Sequence, residues 1–255
     1  MLATPESFRV RATVPRAFLL FISMAALVAT LSARCEAQQP SPNHPPDPGT
    51  LKSSNPQPAE SKRLFGIIPN YRTSPSLYPY VPMTTAAKFK VASQDAFDRG
   101  TFILAALFAG EGQLTNANRS FGQGAAGYGQ YLGTSYADFV IGDFMTEGIF
   151  PSLLHQDPRY FRDGKGSAWS RLGYAMGQIF WTHNDSGSTG FNYSEVIGNS
   201  MAVAISQSYY VDNRTWHDAS VKLAEQLGVD MAANILKEFY PEISHKFSRK
   251  HREKQ

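Results

Sequence analysis

Apolar residues recur at helical spacing from Met83 onward. Phe89, Ala92, Ala96 and Phe97 fall three and four apart behind Thr84 or Thr85, either of which can cap a helix start. Gly100 then precedes an uncharged run from Thr101 to Gly110. Ten residues is about half a membrane span, so this run reads as a buried core helix, ended by Gly110, Gly112 and the Asn116/Asn118 pair. Further helices are predicted over 135–154 with Pro151 as kink or restart, over 167–183, and from Asn192 or Ser194 to about 210. The last runs from Thr215 to Phe239, bent at Gly228 and stopped by Pro241. No segment shows strand alternation. Roughly five or six helices within this length predict an all-α fold, a compact bundle.

Residues 119–134 are glycine-rich, and each glycine inside a free helix costs about 1 kcal/mol relative to alanine. Ala125, Gly129 and Gly133 share one stripe, and the same small-residue spacing recurs at Gly173/Gly177 and Gly198/Ala202. Such stripes let helices approach closely, so they are expected to form packing seams. A phosphate cradle is excluded, because no Lys-Ser/Thr follows the glycines and no strand precedes them.

Ahead of the helices, residues 1–37 read as an export signal: Arg9, Arg11 and Arg16, an apolar run from Ala17 to Ala33, and a small-x-small site at Cys35-Glu36-Ala37. The alternative is a retained N-terminal anchor. A lipoprotein box ending at Cys35 is opposed by Arg34, whose long charged side chain stands where a small residue is needed. Residues 38–62 form a proline-rich spacer, predicted disordered. From Arg63 to Pro82, prolines alternate with Leu64, Phe65, Ile67, Ile68, Tyr71 and Tyr80, which predicts an extended arm lying across the bundle in a packing role. The helical domain spans 63–243, and 244–255 is expected to be a basic disordered tail.

Composition narrows the classes. With 42% apolar residues, 13% aromatic residues and one cysteine, the chain is neither disordered throughout nor a disulfide scaffold. Cleavage after Ala37 would remove that cysteine, excluding disulfides, zinc–thiolate sites and a cysteine nucleophile from the remainder. Beyond residue 37 there are 20 basic and 19 acidic residues, and the tail alone carries +4, so the body is slightly acidic. A nucleic-acid partner needs a basic stripe that the body lacks.

The strongest local cluster of chemistry is His155, Asp157 and Arg159, with Glu147 two turns upstream. A histidine and two carboxylates could move a proton, or His155 and Asp157 could ligate a metal, with Arg159 orienting an anionic group. The spacing matches no zincin or di-iron pattern, which favours a helix end closed by caps. No cofactor is expected. Asp138, Asp143, Glu195, Asp230 and Asn234 fall on apolar helical faces. They read as an inter-helix network partnered by Arg99, Arg119, Arg171 and Arg214, or as a polar pocket with raised pKa values.

The segments FGIIPNYR, GAAGYGQY, HQDPRYF and FNYSEVIGN together resemble a family of exported bacterial proteins to which no activity is attached. The resemblance covers about residues 63–243 and implies bacterial export and those domain limits. The expected role is therefore an exported, periplasmic or membrane-associated envelope protein with a structural or interaction function, its partner a membrane surface or another envelope protein. The alternatives are a hydrolase or metal-dependent enzyme built on Glu147, His155 and Asp157, or a carrier of a lipid or small molecule.

Overall fold

The computed structural model describes residues 62–74, 77 and 79–252, with side chains to Ser244. The signal segment 1–37 and residues 38–61 of the spacer lie outside the described residues.

Local chemistry sets the helix ends. The Thr84 hydroxyl accepts from Ala87 N at 3.2 Å and opens α1 (Thr85–Ala96). Asp98 accepts from Gly100 N and opens α2 (Arg99–Thr115), so the chain breaks at Phe97–Asp98 instead of running through. Asn116, in the left-handed region, closes α2. α3 (Gly124–Asp143) continues into a π-helical turn at Phe144–Ile149, and Pro151 stands at the start of the short α4 (Phe150–Leu153). Ser167 caps α5 (Ala168–Gly177), and Asn192 caps α6 (Tyr193–Ser206) by accepting from Glu195 N. Thr215 and Asp218 exchange hydrogen bonds in a capping box before α7 (Trp216–Arg252).

Among the described residues the architecture is mostly helical, as the periodicity predicts, but it also holds three two-stranded pairs that the pattern does not reveal. β1 (Arg63–Leu64) and β2 (Ile68–Pro69) form an antiparallel hairpin. β3 (Thr73–Ser74) lies parallel to β4 (Tyr160–Phe161), with Thr73 opposite Tyr160. β5 (Trp181–His183) pairs antiparallel with β6 (Thr189–Phe191). Strands of two or three residues are too short to show a period of two. The arm is thus partly strand. Pro241 likewise does not stop the last helix: α7 passes through it to Arg252, and residues 244–252 continue that helix instead of forming a separate tail.

Two apolar clusters flank a polar centre. In one, Leu64 of β1 and Tyr160 of β4 pack with Ala175 of α5 and with Ala232, Ile235, Leu236 and Phe239 of α7. In the other, Ala109 of α2, Phe121 and Tyr131 of α3 are joined by Tyr128, Leu132 and Tyr210.

The small residues do not all pack as expected. An added Cβ at Gly129, Gly133, Gly173 or Gly177 would meet nothing within 4 Å, and Ala125 is exposed, so those stripes face open space. Close approach does occur at the Gly198/Ala202 stripe, as expected, and also at Gly100. A Cβ at Gly198 would lie 2.9 Å from Thr146 Cγ2 and 3.1 Å from the Met145 backbone, so α6 lies directly on the π turn. At Gly100 it would stand 1.6 Å from Ile67 O, where the β1–β2 hairpin rests on α2.

The expected buried helix is only half buried. α2 turns Thr101, Ala105, Ala109 and Gly112 inward, whereas Phe102, Ile103, Leu107 and Leu114 face outward, Leu107 being 63% and Leu114 90% exposed.

Candidate functional site

Arg72 lies at the centre of the fold. The β3–β4 pairing brings it there: Tyr160 N donates to Arg72 O at 2.9 Å, fixing the arm so that the Arg72 side chain turns into the bundle. Its guanidinium stands 3.4 Å from Glu147 Oε1, 3.9 Å from Glu195 Oε2 and 4.0 Å from Asp230 Oδ1. Each acid comes from a different element: Glu147 from the π turn, Glu195 from the first turn of α6, Asp230 from α7. π turns often place functional side chains, because the extra residue re-aims the helix.

Asp95 at the end of α1, Asp143 at the end of α3 and Lys237 of α7 interact electrostatically with the same group, with Lys237 and Asp95 both buried. On α7, Asp230, Asn234 and Lys237 occupy one face at helical spacing. Asn199 ties α6 to α7, its amide donating to Glu195 O and Oε1 and to Asp230 Oδ2.

Five carboxylates therefore surround two cations. Charge of that imbalance cannot be kept in a low-dielectric interior without protons or counterions. Burial, reinforced by Asp230 and opposed by Arg72, pushes Glu195 up to about 8. Burial, followed by the Asp95 charge, holds Asp143 and Glu147 well above the usual carboxylate range. Burial also raises Asp95, although Lys237 and Arg72 oppose it. Lys237 is pushed down to about 8 by burial and then by Arg72. For Arg72, burial works against the charge, but Glu147, Glu195 and Asp230 outweigh it and keep the guanidinium ionised. Asp95 Oδ1 and Glu147 Oε2 are both buried without a hydrogen-bond partner among the described residues.

A cavity of about 20 Å³ adjoins the cluster, lined in its depth by Arg72, Thr146, Ser194, Glu195 and Asn234. Asp157 and the partly exposed Arg159 also line it.

The four side chains singled out in the sequence are not gathered at one point. Glu147 belongs to the central cluster. Asp157 is fully buried and saturated: it accepts from Arg159 Nε at 2.9 Å, Arg159 Nη2 at 2.6 Å and Tyr80 Oη at 3.0 Å. Arg159 also lies over the Tyr80 and Phe161 rings. His155 takes a positive φ of 53° and leaves its side chain 84% exposed, with Asp185 at 3.8 Å as its carboxylate contact. Asp185 is itself held by the buried Lys88. His155 and Asp157 therefore do not point to a common metal position. Among the described residues no group of three or more His, Cys, Asp or Glu side chains is disposed to hold a metal ion.

Of the carboxylates placed by helical spacing on apolar faces, Asp138, Glu195 and Asp230 have partners, but not the arginines expected. Asp138 is held by Lys222 and by the Tyr209 and Tyr210 hydroxyls. Arg171 instead donates to the fully buried Glu238 and to Glu242. Arg214 donates to the Gln207 and Ser208 carbonyls, and Arg99 and Arg119 are exposed. Sequence reasoning missed Arg72 and Lys237. The signal available was their position, an arginine two residues before a strand-like Ser-Pro and a lysine directly after apolar Leu236 and two residues before Phe239, and neither is distinctive.

Comparison of the chain with protein-family models, with curated proteins and with solved structures finds no match.

Proposed function

We propose that this is an exported envelope protein with a structural or interaction role, and that it beds its α2–α3 hairpin in the apolar layer of a membrane without crossing it. The observation that carries this reading is the inverted packing of α2. Small residues face the protein and large apolar ones face outward, the distribution used where the surroundings are as apolar as the side chains. In water the same helix would bury Leu107 and Leu114 and expose Ala105 and Ala109.

Depth agrees with seating in one face of a bilayer. The uncharged run Thr101–Gly110 spans about 15 Å as helix, half the hydrocarbon thickness. Among the described residues no helix is long and apolar enough to cross a membrane. The outward side of the adjoining α3, with Ala125, Gly129 and Gly133, carries no charge. Basic residues Lys246, Arg249, Lys250 and Arg252 on the last turns of α7 suit anionic headgroups, at about 1 kcal/mol for each one near the surface. A hydrolase or carrier reading draws less support, because the cavity beside the cluster has room for a water molecule or two and not for a metabolite.

Spin labels test this in the full chain with Cys35→Ser, reconstituted with vesicles containing anionic lipid. Labels at Leu107→Cys and Leu114→Cys are expected to be open to dissolved oxygen and shielded from a water-soluble nickel complex. A label at the exposed Lys90→Cys should show the reverse. Because the labels report locally, an N-terminal anchor alone cannot produce this result. Nickel access at positions 107 and 114 equal to that at 90 refutes the seating.

A further inference from the structure

The cavity beside Arg72 is bordered by two buried polar side chains, Arg72 and Asn234, that face it. The guanidinium of Arg72, a group with five N–H donors, makes ion-pair contacts at 3.4–4.0 Å but donates no hydrogen bond to a described side chain. The Asn234 amide, 5% exposed and on the cavity wall, likewise makes no side-chain hydrogen bond among the described residues. Buried donors and acceptors are nearly always satisfied, and polar contacts near 4 Å are commonly bridged by water. A volume of about 20 Å³ exceeds the roughly 10–15 Å³ that one water needs, and the wall supplies the two to four polar partners required.

We propose that this cavity is a hydrated proton-binding site: one or two ordered waters bridge Arg72 to Glu195 and Asn234 and connect the buried acids to solvent past Arg159. The groups that share the protons come from the elements packed around Arg72: Asp95 of α1, Asp143 and Glu147 of α3 and its π turn, Glu195 of α6 and Lys237 of α7, with Asp230 of α7 facing the same guanidinium. Protons move among them and the waters by exchange alone, and no bond to carbon forms or breaks. Asp95 Oδ1 and Glu147 Oε2, buried without a partner among the described residues, are two further unfilled positions in the same cluster.

The inference stands apart from the membrane reading, because it concerns the interior and can be measured in detergent or on vesicles. Infrared spectroscopy of the full chain is expected to show carboxylic-acid carbonyl bands at pH 6, far above the ordinary titration of Asp and Glu, with one band fading as the pH passes about 8. In heavy water these bands should shift within the dead time of mixing, long before the core amides exchange. Glu195→Gln should remove the band that fades near pH 8, and Asn234→Leu, which fills the cavity, should slow the isotope shift at least tenfold. Absence of acid bands at pH 6 overturns the proposal, as does an isotope shift no faster than core-amide exchange. Should either variant fail to fold, the measurements on the unsubstituted chain decide by themselves.

Discussion

Replacing Arg72 with methionine tests the centre of the fold, because the substitution keeps an unbranched apolar stem and removes the charge. The guanidinium faces three carboxylates at 3.4, 3.9 and 4.0 Å. At an effective dielectric near 20, each such contact has a gross Coulomb energy of about 4–5 kcal/mol when the acid is ionised. Desolvation of the guanidinium offsets much of that sum, so the net loss falls to about 3–5 kcal/mol, as for other buried pairs that lose one partner. This loss depends on pH. Without Arg72 the acids rise further above their unfolded values, and a group with a raised folded pKa contributes stability that is complete below the unfolded pKa and is lost as pH climbs through the folded one. Glu195 already spans the window from 4.5 to about 8. Within that window each such acid contributes up to about 1.4 kcal/mol per pH unit. Arg72→Met should therefore lower the melting temperature by on the order of 10 °C at pH 8 and by less than half as much at pH 5. Circular-dichroism melts of the full chain at both pH values measure it. An equal drop at pH 5 and pH 8 would show that the arm is held by its backbone pairing with β4 and not by charge. No drop at either pH would show that the cluster does not depend on Arg72.

Further outcomes follow from packing. Phe239→Ala, at a fully buried position in the larger apolar cluster, should cost about 3–5 kcal/mol in denaturant unfolding. Gly198→Val must push α6 off the π turn, so it should destabilise by about 1–3 kcal/mol, while Gly129→Ala, in open space on a helix, should stabilise by up to about 1 kcal/mol. Leu107→Glu should leave the melting temperature within about 2 °C in detergent-free buffer, yet strip the hairpin from vesicles in the spin-label assay. Lys237→Met removes a base held near 8. Its charged form opposes folding below that pH, with the penalty relieved as the pH climbs from about 8 toward 10.5, so the variant should lose the stability gain that the unsubstituted chain shows across that range.

Local chemistry made some of this protein readable from its order of residues. Thr84 and Asn192 are caps wherever they are read, because a cap needs only its own next turn, and the helical spacing from Met83 onward needs no partner to be seen. Glu195 and Asp230 could be marked as acids on apolar faces by spacing alone. Which cations answer them could not be read. Arg72 reaches Glu147, Glu195 and Asp230 from 75 or more positions away in the chain, by a parallel strand pair two residues long, and no periodicity records such a meeting. The direction in which α2 faces was equally undecided: Thr101–Gly110 is apolar on every side, so only the neighbours assembled around it select Ala105 and Ala109 as the inner face. His155 and Asp157 stand two apart in sequence yet look opposite ways, one outward through a left-handed backbone and the other inward to Arg159 and Tyr80. Sequence determines what a segment can do by itself, whereas the site depends on long-range contacts, which are chosen only when the whole chain packs.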